Sequence, residues 1–369
     1  MLKLTPDNHN DMEQHIIDNP SAIRQGEELN VSNLAAFIRC NFPDWPGEVQ
    51  VAQFPSGFSN LTYFVQVGDK ELVLRRPPFG ANIKSAHDMQ REYGILQSLE
   101  PVYPKIPKPL IYTDDTSVIG AEFYMMERVR GLILRNRPPK GMELTADKMR
   151  TLSKAVIQNL ADLHAINIYD TGLIRLGKPE GYVQRQVEGW IGRYEKAATD
   201  NVPAMNTAAD WLRANLPAEN SPALIHNDYK YDNVVLNPDD LSEIIAVLDW
   251  EMATVGDPLM DLGTTLGYWA DADSPEMLKA FSLTAFPGNM NREEVAQCYA
   301  EASGRNIDHI LFYYVFGCYK IGVIVQQIYA RYKKGFTQDP RFANLIHLVH
   351  ACGESAAKAI QYGRISNWR

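Results

Sequence analysis

The chain has 369 residues, with 36 lysines and arginines against 45 aspartates and glutamates, a formal net charge of −9. Its 45% hydrophobic and 22% charged residues exclude a disordered chain and suit about two domains, while the acidic balance argues against a dedicated nucleic-acid binder. Four scattered cysteines (Cys40, Cys298, Cys318, Cys352) form no CxxC pair and no Cys/His cluster, so a disulfide framework and structural zinc are not expected, and a reducing, cytoplasmic setting is.

Residues 1–28 are polar and punctuated by Pro6, Pro20 and Gly26; they read as a loosely attached arm with short helix and lack the apolar stretch of a signal peptide. A short helix follows over Val31 to Cys40. From Glu48 the period changes to two, and EVQVAQF, LTYFVQV and KELVLRR read as strands, the first pair joined by the turn PSGFSN. SAHDMQREYGILQSL reads as a helix with Ser85 as N-cap and Asp88 three residues on, as in a capping box. The apolar run GAEFYMMERV, residues 120–129, fits a buried strand. These elements describe an α+β lobe on an antiparallel sheet.

After Gly131 the pattern is helical. Thr145 is a good N-cap for a helix with Met149, Leu152, Val156, Leu160 and Leu163 on one face, and Val183, Val187, Trp190 and Tyr194 form a second stripe. A β-rich insert, ALIHNDYKYDNVVLNPDDLSEIIAVLDW, precedes a helical remainder. The most apolar stretch, Ile310 to Tyr332, carries Lys320 at its middle and Gln326 and Gln327 near its end, which suits a buried helix better than a membrane span. The division expected is an arm over 1–28, an N-lobe over 29–127 and a mostly helical C-lobe over 128–369, hinged near Glu127 to Gly131.

The informative chemistry begins at HNDYKYDN, His226 to Asn233: an H-x-D-x-x-x-x-N pattern between two strand-like runs, with Asp249 closing the second. Phosphoryl transfer from a magnesium nucleotide needs a carboxylate to take the acceptor's proton, here Asp228, and hard oxygen ligands for Mg²⁺, here Asn233 and Asp249. Lys230 lies where a cation can follow the transferring group. Each residue alone is more often a turn, a cap or a core histidine; their joint order is what carries the signal. Upstream, a Gly-containing turn, then Arg75 on a strand, then Glu92 on the next helix stand in the order that kinase folds use for phosphates and a cation–acid pair.

With these motifs in place, the sequence resembles the aminoglycoside phosphotransferase and choline kinase superfamily over about residues 30–350. The resemblance implies a protein-kinase-like bilobal fold that uses ATP or GTP with Mg²⁺ on a small-molecule hydroxyl. It assigns Ser56, Gly57, Ser59 and Asn60 to the phosphate-covering turn, Arg75 and Glu92 to the ion pair, and the Glu127 carbonyl and Val129 amide to adenine. Asp228 and Lys230 become the catalytic base and its lysine, Asn233 and Asp249 the metal ligands, with Trp250–Glu251 in place of Phe–Gly. Arg75 replaces the usual lysine, and Asn227 stands where many aminoglycoside enzymes carry Gly and choline kinases often carry Asn. Only seven residues separate Asp249 from Asp257, too few for a protein kinase's activation segment; Asp257 and Asp261 read as caps or backbone ties.

LVLRRPPFGANIKSAHDMQREYGIL and VLDWEMATVGDPLMDLGTTLGYW resemble the branch related to domains fused to acyl-CoA dehydrogenases, which implies hydroxy acids or their CoA thioesters as acceptors. Two basic groups, Lys320 with Arg331, Lys333 and Lys334, and Arg130, Arg135, Arg137 and Lys140, read as solvated faces or as a site for an anionic acceptor. The alternatives are an aminoglycoside or choline-type kinase and, from another class, a non-catalytic nucleotide-binding pseudokinase. No nucleic-acid or membrane partner is expected. Residues 221–280 hold twelve acidic residues against two lysines, so the chain's acidity concentrates around the expected metal site.

Overall fold

The computed structural model describes residues 19–54, 60–79, 88–337 and 339–368; the turn residues Ser56, Gly57 and Ser59 and the expected cap Ser85 lie outside them. The chain divides into two units, Met1–Leu132 with Ile245–Glu251, and Ile133–Ile244 with Met252–Arg369.

The first unit is built on α1 (Val31–Asn41), β1 (Val49–Gln53), β2 (Leu61–Val67), β3 (Lys70–Arg76), α2 (Met89–Leu99), β4 (Pro109–Thr113) and β5 (Phe123–Glu127). Its antiparallel sheet runs β1-β2-β3-β5-β4. Burial along β2 alternates as the period-two pattern requires. Leu72 and Leu74 of β3 join Tyr63, Val65, Phe123 and the α1 residues Leu34 and Ile38 in one apolar cluster. Arg75 points to the other face, where α2 packs and offers Glu92. Sequence periodicity misses β4, which begins with a proline and carries a register shift between Pro109 and Ile111.

Two local expectations are corrected. Helix α2 starts one turn later than the Ser85 cap implies: Asp88 is itself the N-cap and accepts from the Arg91 amide at 2.8 Å. Asp satisfies the N-cap position as well as Ser does, so two registers compete in this sequence. Nor is the described part of the N-terminal arm loose. Ser21 exchanges backbone hydrogen bonds with Gln53 (2.7 and 2.9 Å), and the Tyr63 hydroxyl donates to the Glu27 carbonyl at 2.7 Å. The β1 edge has backbone groups to satisfy, and this polar segment supplies them.

The second unit begins with α3 (Ala146–His164), capped by Thr145 as expected, followed by α4 (Tyr182–Ala197) and α5 (Pro203–Ala214). Then come β6 (Ala223–Ile225), β7 (Val234–Leu236) and β9 (Thr254–Gly256), with β6 and β9 paired antiparallel, while β8 (Ile244–Val247) leads into the Ile245–Glu251 segment of the first unit. The helices α6 (Pro258–Tyr268), α7 (Glu276–Lys279), α8 (Arg292–Ser303), α9 (Ile310–Lys333) and α10 (Leu345–Tyr362) complete it. The stripes on α3 and α4 are buried as read.

Among the described residues α9 alone is long and apolar enough to cross a membrane, yet 78% of its most apolar window is buried inside the structure. It packs against α4, α5, α6 and α10. Its polar interruptions are tethers: Gln326 donates to the Ala197 carbonyl and the Thr199 hydroxyl, both at 2.9 Å. Helices α6 and α9 touch backbone to backbone. A Cβ on Gly263 would lie 2.2 Å from the Tyr313 carbonyl oxygen, and one on Gly317 would lie 1.9 Å from the Gly263 oxygen. Alanine at either position must push the helices apart, at a cost of about 1–3 kcal/mol for overpacking. The expected result is a clear fall in Tm for Gly263→Ala and Gly317→Ala. Gly94→Ala, with nothing within 4 Å, raises Tm slightly or leaves it unchanged. Differential scanning calorimetry of the three variants checks this.

Candidate active site

The loop after β6 is set by a carboxylate beneath it. Asp261, on α6 and fully buried, accepts from the backbone amides of His226 (2.6 Å) and Asn227 (2.7 Å). His164 of α3 lies against it, Nε2 to Oδ2 at 3.1 Å, and Nδ1 of His164 sits 2.7 Å from the Tyr299 hydroxyl. Burial raises the Asp261 pKa, but His164, His226 and the amide bonds outweigh burial and hold it below the ordinary carboxylate value. Asp257 caps α6, accepting from the Leu259 amide at 2.8 Å and the Tyr313 hydroxyl at 3.1 Å. Both aspartates therefore take the backbone-tying roles read for them.

Asn227 adopts φ 67°, in the left-handed region. Asn, like Gly, tolerates this conformation. Its side chain donates to the Met252 carbonyl at 3.1 Å. Asp228 follows, and its carboxylate is the centre of the loop. Lys230 donates to both oxygens (2.9 and 2.8 Å), and the Asn233 amide donates to Oδ2 and to the Asp228 carbonyl, each at 2.9 Å. Tyr268, at the end of α6, hydrogen-bonds the same carboxylate; burial and that negative charge push its hydroxyl pKa up. Burial works against the Lys230 charge, but Tyr268 and Asp228 prevail and raise its pKa. Three of the sequence-read residues, Asp228, Lys230 and Asn233, thus meet within one turn.

A second cluster lies in the first unit. Arg75, 8% exposed, donates to Glu92 at 2.8 Å and to Asp249 at 3.1 Å, with Glu251 at 3.6 Å. Glu251 in turn accepts from the Asn60 side chain at 2.8 Å, and its backbone carbonyl accepts from Arg91 at 3.2 Å. Burial opposes the Arg75 charge, while Glu92, Asp249 and Glu251 hold its pKa up. Burial raises the Glu92 pKa despite Arg75. Arg75 Nε and Glu92 Oε2 remain buried without a hydrogen-bond partner among the described residues. Asp249, like Asn227, has a positive φ, 66°. At the end of β5 the Glu127 amide bonds to the Lys108 carbonyl and the Arg128 amide to the Glu71 carbonyl.

Asn60, Arg75, Glu92 and Asp249 therefore belong to one cluster, and Asp228, Lys230 and Asn233 to another. Ser56, Gly57 and Ser59 lie outside the described residues. Among the described residues no three His, Cys, Asp or Glu side chains gather as a metal cage. Magnesium nucleotides do not require one, since Mg²⁺ takes one or two carboxylates and fills its shell with phosphate and water. Asn233 spends its amide nitrogen on Asp228, which leaves a carbonyl oxygen, the hard donor such an ion needs. Sequence reasoning misses Tyr268 and Glu251, and it places Lys320 in the wrong setting. Lys320 is corrected outright: it is 2% exposed and donates to the Asn227 carbonyl at 2.7 Å, so it is no part of an exposed basic group. Arg130 is paired with Glu71. Arg331, Lys333 and Lys334 are exposed.

A kinase-type phosphotransferase is the class that this fold and these two clusters define. The profile of the phosphotransferase enzyme family matches residues 50–295, and the chain belongs to that family. It is 33% identical over 360 residues to acyl-CoA dehydrogenase family member 11 of Gallus gallus, covering 94% of this chain and 46% of that protein. The chain thus spans less than half the length of this relative. Among solved structures, a Ralstonia eutropha protein assigned as an aminoglycoside phosphotransferase is 26% identical with a TM-score of 0.77, covering 91% of this chain and 99% of that one. A spectinomycin phosphotransferase solved with ADP and spectinomycin shares the fold at 13% identity and TM-score 0.59, over 91% and 99% of the two chains.

Asp261→Asn tests the loop's support. An amide cannot accept from two backbone N–H groups on both of its ends, so a buried donor is left facing a donor. The expected loss is on the order of 3 kcal/mol in urea unfolding at pH 7. Because the folded pKa of Asp261 lies below its value of 3.8 in the unfolded chain, its stabilisation is present above that value and fades as pH falls through the folded pKa. The gap between parent and variant narrows accordingly below about pH 4.

Proposed function

We propose that the chain transfers the γ-phosphoryl group of ATP or GTP to the hydroxyl of a small molecule. The observation that carries this reading is the Asp228 carboxylate, oriented from both sides by Lys230 and Asn233. In the reaction the acceptor's O–H proton passes to Asp228 while its oxygen bonds to the γ-phosphorus. The bond from that phosphorus to the leaving nucleoside diphosphate breaks. Lys230 stands beside the carboxylate, placed to accompany the phosphoryl group.

Asn233 and Asp249 are the residues that would hold Mg²⁺, which when bound neutralises phosphate charge. Arg75 is assigned to the phosphates. Its planar fork serves Glu92 and Asp249 at once, which the point charge of a lysine does less well. Asn60 and the preceding turn would cover the phosphates, and the Glu127 carbonyl and Val129 amide would meet the base. The ADP held by a fold neighbour supports nucleotide use.

For the acceptor, a hydroxy acid or hydroxyacyl-CoA is the reading favoured by the kinship with an acyl-CoA dehydrogenase family member. The exposed Arg137 and Lys140, with Arg331, Lys333 and Lys334, suit an anionic molecule. The likeness to a protein assigned as an aminoglycoside phosphotransferase supports the second reading, a cationic amino-sugar acceptor.

Coupled ADP-release assays separate these. Hydroxyacyl-CoA thioesters are expected to stimulate release, and kanamycin-like or streptomycin-like compounds are not; the reverse pattern selects the second reading. Asp228→Ala is expected to lower turnover by about 10²- to 10⁴-fold while nucleotide still binds. Equal turnover in variant and parent removes Asp228 from the chemistry.

A further inference from the structure

Lys320 is an ammonium in the middle of an apolar helix. Among the described residues it forms no ion pair within 4.0 Å, although it is only 2% exposed. A buried cation without a carboxylate partner costs several kcal/mol unless hydrogen bonds replace its hydration. What replaces it here is chiefly one backbone oxygen, the Asn227 carbonyl at 2.7 Å, with the Asn227 Oδ1 and Thr264 Oγ1 atoms more distant at 3.4 Å.

We infer that Lys320 is a positioning residue for the catalytic loop, clamping the peptide that joins Asn227 to Asp228 and so setting the direction of the Asp228 carboxylate; this rests on the phosphotransfer reading above. The Asn227 residue is gripped at both ends. Its amide is held by Asp261 from α6 and its carbonyl by Lys320 from α9. With φ at 67°, it would otherwise relax by rotating the following peptide, and that rotation swings Asp228 away from Lys230 and Asn233. The glycine contact between α6 and α9 brings the lysine stem close enough to reach the loop. A charge-assisted bond to a carbonyl is stronger than any neutral donor offers at this position.

The clamp depends on charge. Asp261 and Asp228 favour the Lys320 ammonium and Lys230 and Arg193 oppose it, with the Trp190 ring 5.7 Å away; burial is the largest influence and lowers its pKa to about 8. Two effects of opposite sign follow. Between pH 8 and 10.5 the unfolded chain holds the proton more tightly, so the Lys320 contribution to global stability rises with pH. Over the same interval the folded protein loses the ammonium, so the clamp on the loop weakens.

Hydrogen–deuterium exchange of the full chain, without nucleotide or acceptor, tests this independently of activity. In Lys320→Met, peptides spanning 224–233 are expected to exchange about tenfold or more faster while α9 keeps its protection. The ADP-release kcat is expected to fall by about 10- to 100-fold with the nucleotide KM nearly unchanged. A folded Met variant whose loop exchanges like the parent's overturns the inference. If Lys320→Met and Lys320→Gln both fail to fold, the parent alone decides. After correction for intrinsic rates, loop protection must drop between pH 7 and 9.5, and constant protection overturns the proposal. A parent that releases no ADP but whose loop loosens in the variant refutes the phosphotransfer reading and leaves the clamp standing.

Discussion

A carboxylate sealed from water keeps its charge only if the protein supplies the hydrogen bonds that water would have made. Asp261 meets that condition with two consecutive backbone amides, those of His226 and Asn227, and with His164 behind it. The trade fixes the loop as much as the acid. Two peptides pointing at one carboxylate have little freedom, and the residues that follow inherit their direction. Tyr229 continues the anchoring: its hydroxyl donates to the Val156 carbonyl at 2.8 Å, and its own carbonyl accepts from Thr265 at 2.9 Å. The half-buried pair Asp228 and Lys230 thus stands on a platform of buried, satisfied polar groups.

The first unit solves the mirror problem, a buried cation among acids. Arg75 is enclosed by Glu92, Asp249 and Glu251, and the arrangement ties a strand, a helix and the Ile245–Glu251 segment to one guanidinium. Such a cluster is over-supplied with negative charge relative to its single arginine. That imbalance suits a site whose remaining positive charge arrives with a ligand. It also gives the acidity of residues 221–280 a physical meaning, since Asp228, Asp249, Glu251, Asp257 and Asp261 all have assigned partners.

Much of this was legible in the sequence because the chemistry requires fixed residue types at fixed spacing. The H-x-D-x-x-x-x-N segment folds into one hydrogen-bonded loop, Arg75 pairs with Glu92, and β2 alternates in burial as its sequence pattern requires. What escaped is what spacing cannot encode. β4 hides behind an initial proline and a bulge. The cap of α2 is ambiguous between Ser85 and Asp88, because both residue types satisfy the same orphan amides. Residues 19–28 look polar and loose, and only the presence of an open sheet edge explains why they pair. Tyr268 and Lys320 lie 40 and 92 positions from Asp228, and their contacts exist only once α6 and α9 have packed. Lys320 did carry a signal, since a lone charge inside an apolar helix is rarely idle.

That same lysine has a consequence during synthesis of the chain. Helix α9 sits at the margin where length and apolarity suffice for a bilayer, with a mean hydropathy of 1.2 over its most apolar window. A lysine at the centre of a nascent helix adds about 2.5–3.5 kcal/mol to the cost of its lateral exit into lipid. Lys320 therefore weighs against a bilayer-spanning state of this segment whether or not the loop is in place. The ammonium that we infer to fasten the loop in the folded chain thus also raises the cost of lipid entry for the helix that carries it.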